Sequence, residues 1–189
     1  WTGSTNLTYT GAYNSNNTIV IKDNEVAEAY HREFNQMWGG KGLVPVAEQA
    51  RFHKDKKKNG SNLFFVGDKK VELYFGPVNR TGTKPSIAGR LEELIRDYAE
   101  WDINFQAFAI TPDIPMSRAM WERSAREDIL LQGIIDPAFY SRYRKQGAIW
   151  AAREARTGNR EILPARELRK LHHKVLLLDV TKPTDNSRG

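Results

Sequence analysis

The sequence predicts an α/β protein with a mixed, largely parallel sheet flanked by helices on both faces. Three observations predict it. Short apolar runs at 18–22, 71–75, 102–111, 129–135 and 172–178 have the length and alternation of strands. Between most of them lie stretches with apolar residues three and four apart, the period of an amphipathic helix. Strands separated by helices of this length pair in parallel and are covered on both sides.

Each element has its own local reason. Gly3 to Asn6 reads as a turn, followed by a polar stretch to Asn17 and a β-branched strand at 18–22. Asp23-Asn24-Glu25 carries N-cap chemistry, and the helix from 26 to 37 or 38 places Val26, Ala29, Tyr30, Phe34 and Met37 on one face. Gly39-Gly40 ends it. His31 on that helix reads as a surface or capping histidine. Residues 41–70 are the least structured stretch by pattern. They hold the basic loop Phe52 to Ser61, whose Lys54, Lys56, Lys57 and Lys58 read as a solvated loop or, functionally, as phosphate contacts.

A strand at 71–75 breaks at Gly76-Pro77, Ser86 caps a helix over 87–98, and Leu91, Leu94, Ile95 and Tyr98 form its apolar face. Strand 102–111, helix 116–126 and strand 129–135 follow, then a turn at Asp136-Pro137 and a helical stretch through Tyr143. Residues 153–167 are charge-rich and read as a mobile surface segment. Arg166, Arg169 and Lys170 stand just before the last strand, placed to meet an anion.

The whole-chain numbers exclude little but point one way. With 189 residues, 40% hydrophobic and 28% charged, the chain can bury one core as a single domain. It has no cysteine, so disulfides and thiolate metal sites are excluded. No apolar run reaches the ~18 residues of a membrane span. The first residue is Trp, so the sequence leaves localisation open. Twenty-nine Lys and Arg against 23 Asp and Glu give a net charge of +6, which favours polyanionic partners. The Asn-x-Thr triplets at Asn6, Asn16 and Asn79 read as coincidences.

Chemistry gathers at the two ends. Near the C-terminus runs His172-His173-Lys174-Val-Leu-Leu-Leu-Asp179, that is His-x-Lys-(x)4-Asp on an apolar strand. Side chains two apart on a strand share a face, so His172 and Lys174 project together, as an imidazole and an ammonium sharing one phosphate would. Asp179 stands at the strand end, from where it is expected to reach back and orient an imidazole. The bland reading is a basic strand edge with a chance acid. Adjacent His172 and His173 point to opposite faces and make no metal pair, and no third ligand lies nearby. The contiguous His53-Lys54-Asp55 lacks the spacing and is a decoy.

Near the N-terminus, Gly3-Ser4-Thr5-Asn6 supplies Gly-Ser-x-x-Asn. Together these pieces resemble the phospholipase D superfamily, whose motif joins His-x-Lys-(x)4-Asp to a later Gly-Ser-x-x-Asn. Members usually carry it twice, with both copies meeting at one active site. The chain begins inside one copy and ends inside the next, and is expected to be the middle of a longer enzyme. Residues 1–70 would close the first repeat and 71–189 open the second. The family's loop of Asn and Gly after the motif tail matches Asn16-Asn17; many members place Glu next, where Thr18 stands here.

The resemblance implies a phosphodiester hydrolase or phosphatidyl transferase that works through a phosphohistidine, without metal or cofactor. Neutral imidazole is a nucleophile near pH 7, and fixed cations and amides stabilise the charge-rich transition state. Carried over, His172 is nucleophile or general acid, Lys174 holds the phosphoryl oxygens, and Asp179 orients an imidazole. Ser4 and Asn6 complete the catalytic set, and Gly3, Asn16, Asn17 and Arg169 line the substrate. Phospholipid and nucleic acid are both implied as substrates, with a membrane surface or nucleic acid as partner. The second half-motif would come from the rest of the parent chain, or from a homodimer, and the chain alone is expected to be nearly inactive. The alternatives are a nuclease of the same superfamily and a non-catalytic phosphate- or nucleic-acid-binding member.

Overall fold

A computed structural model describes residues 1–58, 60–76, 86–111, 114–142 and 159–182. The chain divides into two compact units, Trp1–Ile19 with Ala88–Gly189, and Val20–Ile87. The expected repeat boundary at 70/71 falls inside a strand of the second unit.

The first unit is built on a four-stranded sheet. Its strands are β5 (Asp102–Ala107), β6 (Leu130–Ile135), β7 (Arg160–Pro164) and β8 (Lys174–Leu178), in the order β7-β6-β5-β8. β5, β6 and β7 are parallel, and β8 runs antiparallel to β5. The helices are α2 (Ile87–Tyr98), α3 (Pro115–Arg123) and α4 (Pro137–Arg142). One face of the sheet carries Ile103 and Phe105, Leu131 and Ile135, and Ile162, and it packs with Ile95 of α2, Ala99 just after that helix, and Ala119 and Met120 of α3. Each of the Ile, Leu, Phe and Met side chains among them contributes on the order of 1.5–3 kcal/mol on full burial. Gly133 belongs to this layer because the Phe105 ring occupies the space where its Cβ would stand.

The fold is α/β with a mixed, largely parallel sheet, as expected, but among the described residues its helices pack on one face rather than on both. The β5-to-β6 crossover runs through α3, which shares the core face with α2. The other face alternates to Asn104, Gln106, Gln132, Ile134, Glu161 and Leu177, all partly or largely exposed. The charged stretch expected to be mobile surface contributes β7 at 160–164; its part from 153 to 158 lies outside the described residues, as do Tyr143, Pro77 and Asn79. A two-stranded pair, β1 (Thr2–Gly3) with β2 (Thr18–Ile19), completes this unit and is shorter than the strand expected at 18–22.

The second unit holds helix α1 (Asn24–Trp38) and a hairpin of β3 (Leu63–Val66) with β4 (Lys69–Glu72). Asp23 Oδ1 caps α1 by accepting from the Val26 N–H at 2.9 Å, and Gly39, at φ 87°, closes it in the left-handed region. The hairpin gives regular structure to the end of 41–70, which the sequence pattern marked as the least structured stretch. Val26, Ala29 and Phe64 form a small core. Beside it, Lys56 and Glu33 are a buried ion pair. Lys56 Nζ also donates to the Gly76 carbonyl at 2.8 Å, and Gln36 Nε2 donates to Glu33 Oε2 at 2.9 Å. Among the described residues no helix is long and apolar enough to cross a membrane.

Candidate functional site

His172 lies beyond the C-terminal ends of the parallel strands, the edge at which open α/β sheets commonly bind ligands. Asp136, at the end of β6, is buried, and its Oδ2 accepts from the Leu171 N–H at 3.1 Å. Phe108, one residue past β5, lies with its ring 5.0 Å from the imidazole of His172 and 4.7 Å from Phe139. These two contacts fix the backbone and floor of the site. Neither residue is marked by the motif; the Asp-Pro turn after an apolar strand was the only signal for Asp136.

The N-terminal loop supplies the other wall. The Ser15 carbonyl accepts from the His172 N–H at 2.8 Å, and the Ser15 N–H donates to the Lys170 carbonyl at 3.0 Å. The Ser4 carbonyl lies 2.7 Å from His172 Nδ1. A carbonyl can only accept, so Nδ1 carries the hydrogen and the neutral ring keeps its lone pair on Nε2. That Nε2 faces Lys174 Nζ at 2.9 Å. One hydrogen fits between the two nitrogens, and the ammonium brings it. Lys174 also donates to the His172 carbonyl at 2.8 Å and sits 5.5 Å above the Phe108 ring. Burial lowers the Lys174 pKa from its ordinary value. His172 and Lys174 thus share a face, as their spacing of two requires.

The Gly-Ser turn holds this wall together through its own hydrogen bonds. Ser4 Oγ accepts from the Asn17 N–H at 3.0 Å and donates to Asn16 Oδ1 at 3.3 Å. Asn16 Nδ2 donates to the carbonyls of Gly11 and Asn14. Gly3 is needed because a Cβ there would stand 2.3 Å from the Asn17 carbonyl oxygen. Asn17 Oδ1 accepts from the Lys174 N–H at 3.1 Å, joining the turn to β8. So Gly3, Ser4, Asn16 and Asn17 are all brought to His172, but the Ser4 hydroxyl and the Asn16 amide are engaged within the loop, and Ser4 meets the imidazole through its backbone carbonyl. Asn6 is exposed and takes no part in these bonds. Arg169 is exposed, 5.6 Å from the Tyr13 ring.

Asp179 does not reach the imidazole. β8 is antiparallel, so Lys174 pairs with Ala107 at the end of β5, while Leu178 pairs with Ile103 near its start. Seven residues of strand at ~3.3 Å each separate His172 from Asp179 by roughly 23 Å, far beyond a carboxylate's reach. Asp179 adopts φ 56°, and its Oδ1 accepts from the N–H groups of Trp101 (2.8 Å), Glu100 (2.9 Å) and Asp102 (3.4 Å). Burial opposes its charge, yet these donors and nearby Lys182 outweigh burial and hold the carboxyl below its ordinary value. Asp102 returns the contact, its Oδ2 accepting from the Thr181 N–H at 2.7 Å. The pair latches β8 to β5, and the Ser4 carbonyl does the orienting expected of the acid.

His173 keeps Nδ1 buried without a hydrogen-bond partner among the described residues. A cleft of about 640 Å³ in the second unit, lined by Lys22–Glu25 and Leu63–Phe65, holds none of the predicted site residues. His53–Asp55 form a single 3₁₀ turn there. Among the described residues no group of three or more His, Asp or Glu is gathered around a metal-sized position. Comparison with protein-family models, with curated proteins and with solved structures returned no match.

Proposed function

We propose that the chain carries half of the active site of a metal-independent phosphodiesterase of the phospholipase D type, a hydrolase or phosphatidyl transferase, with His172 as nucleophile. The observation that carries this reading is the His172 pair of contacts, Nδ1–H on the Ser4 carbonyl at 2.7 Å and Nε2 facing Lys174 Nζ at 2.9 Å. Attack on phosphorus uses the Nε2 lone pair, which the Lys174 ammonium caps in the free site and releases as it turns to the phosphoryl oxygens of a bound substrate. In the reaction Nε2 bonds to phosphorus as the bond to the leaving oxygen breaks. That oxygen takes a proton from a second acid, and water or an alcohol then releases the phosphoryl group from His172. Lys174 neutralises oxygen charge throughout. The Ser4 carbonyl holds the ring and stabilises the positive charge that develops on it. The second acid is the partner histidine of the two-motif design.

Binding precedes chemistry and is tested first. Side-chain ¹⁵N spectra should identify His172 as the Nδ1–H tautomer, and inorganic phosphate should shift Nε2 in the wild type. Lys174→Ala should abolish the shift. If phosphate left the His172 resonances unmoved, the site would not be a phosphoryl site.

A further inference from the structure

We propose that the second unit docks on an anionic lipid bilayer through the loop that follows α1. Leu43 is 99% exposed and Val44 74%, side by side on the tip of that loop. Such a projecting apolar pair is too prominent to fill a groove on its own surface, and it is a costly thing to leave in water. Trp38 of α1 is hydrogen-bonded to Gly42, the residue before the pair, and its ring stacks at 5.3 Å on Phe34, which is half exposed. The inner face of the same helix, Val26, Ala29 and Glu33, is buried, so the aromatic pair is not part of the core.

The loop is held ready. Trp38 Nε1 donates to the Gly42 carbonyl at 3.0 Å, so the indole takes no unmet donor into lipid. The Val46 N–H donates to the Trp38 carbonyl and the Arg51 N–H to the Gln36 carbonyl, pinning the base on the helix. A preformed tip inserts without the cost of ordering.

Charge selects the partner. Exposed Lys41 and Arg51 flank the tip, and exposed Lys54, Lys57 and Lys58 follow, against the carboxylates Glu48 and Asp55. An apolar tip with cations behind it matches a bilayer whose headgroups are anionic. A nucleic acid would use the cations and free ring faces, but Phe34 and Trp38 stack on each other, and Leu43 and Val44 would find no partner.

The proposal does not depend on catalysis at His172. The test is co-sedimentation of the full chain with phosphatidylcholine vesicles, with and without one third phosphatidylglycerol. Binding should be about tenfold or more tighter to the anionic vesicles and weaken with salt. Leu43→Asp with Val44→Asp should reduce it about tenfold or more, with unchanged thermal unfolding because both side chains are exposed. Lys41→Ala with Arg51→Ala should weaken it on anionic vesicles alone, and His172→Ala should leave it intact. No sedimentation with anionic vesicles, or binding indifferent to both double variants, would overturn the proposal. So would capture of a single-stranded oligonucleotide, lost in the Lys41/Arg51 variant, by a chain that ignores vesicles.

Discussion

Asp179→Asn separates a latch from an orienter. Asparagine tolerates the φ of 56° and keeps one acceptor oxygen, so the substitution removes charge and little else. A hydrogen bond to a charged group is worth about 1 kcal/mol more than a neutral one. Two of the three bonds, at 2.8 and 2.9 Å, are well formed, and the third is long. That gives about 2 kcal/mol, reduced to roughly 1–2 kcal/mol because the carboxylate is partly solvated. For a chain of this size the melting temperature should fall by about 2–6 °C at pH 7. The sign of the pH effect follows from the lowered carboxyl pKa. Stability from the ionised form is fully present above the unfolded value near 3.9 and lost as pH falls through the folded value below it. The gap between wild type and variant, followed by circular dichroism melts from pH 7 downward, should therefore close in strong acid. Equal stability at pH 7, or a gap unchanged by acid, would refute the latch. Loss of phosphate binding at His172 with stability intact would restore Asp179 to the site.

Two further substitutions test the packing. Lys56→Met strands the buried Glu33 carboxylate beside Gln36 and should cost about 3–5 kcal/mol in urea unfolding, recovered in large part by adding Glu33→Leu. Gly133→Ala puts a methyl group 2.1 Å from the Phe105 ring in the core and should cost about 1–3 kcal/mol, with Phe105→Leu in the same chain relieving part of it.

Helices were legible because their ends are written in single residues. Asp23 and Gly39 bracket α1, and Pro115 opens α3 at its first turn. Strands β5 and β6 were legible because alternate residues face a core. The hairpin β3–β4 was missed although Gly67-Asp68 between two short apolar-polar runs is a two-residue turn signal, with Gly67 at φ 62°. The lysines around it masked the alternation. β7 was missed because it is an edge strand with only Ile162 fully buried. The direction of β8 has no sequence signature at all, since a run of Val and Leu pairs equally well either way. That unknown decides at which end of β5 His172 stands; the seven-residue separation from Asp179 follows from the extended chain in either direction. The spacing of two between His172 and Lys174 survives either choice. The use of a backbone carbonyl, rather than a side chain, to orient the ring is invisible in any sequence.

The most direct test of the central claim is trapping the phosphoryl group on His172. Bis(4-nitrophenyl) phosphate is a suitable probe, because nitrophenolate leaves without protonation and the step needs no second imidazole. Attack would form an Nε2–P bond and release nitrophenolate. The account predicts an acid-labile aryl-phosphoryl adduct on the peptide containing His172, absent in His172→Ala, weakened in Lys174→Ala and retained in His173→Ala. An adduct that persists in His172→Ala, or none in the wild type, would contradict it.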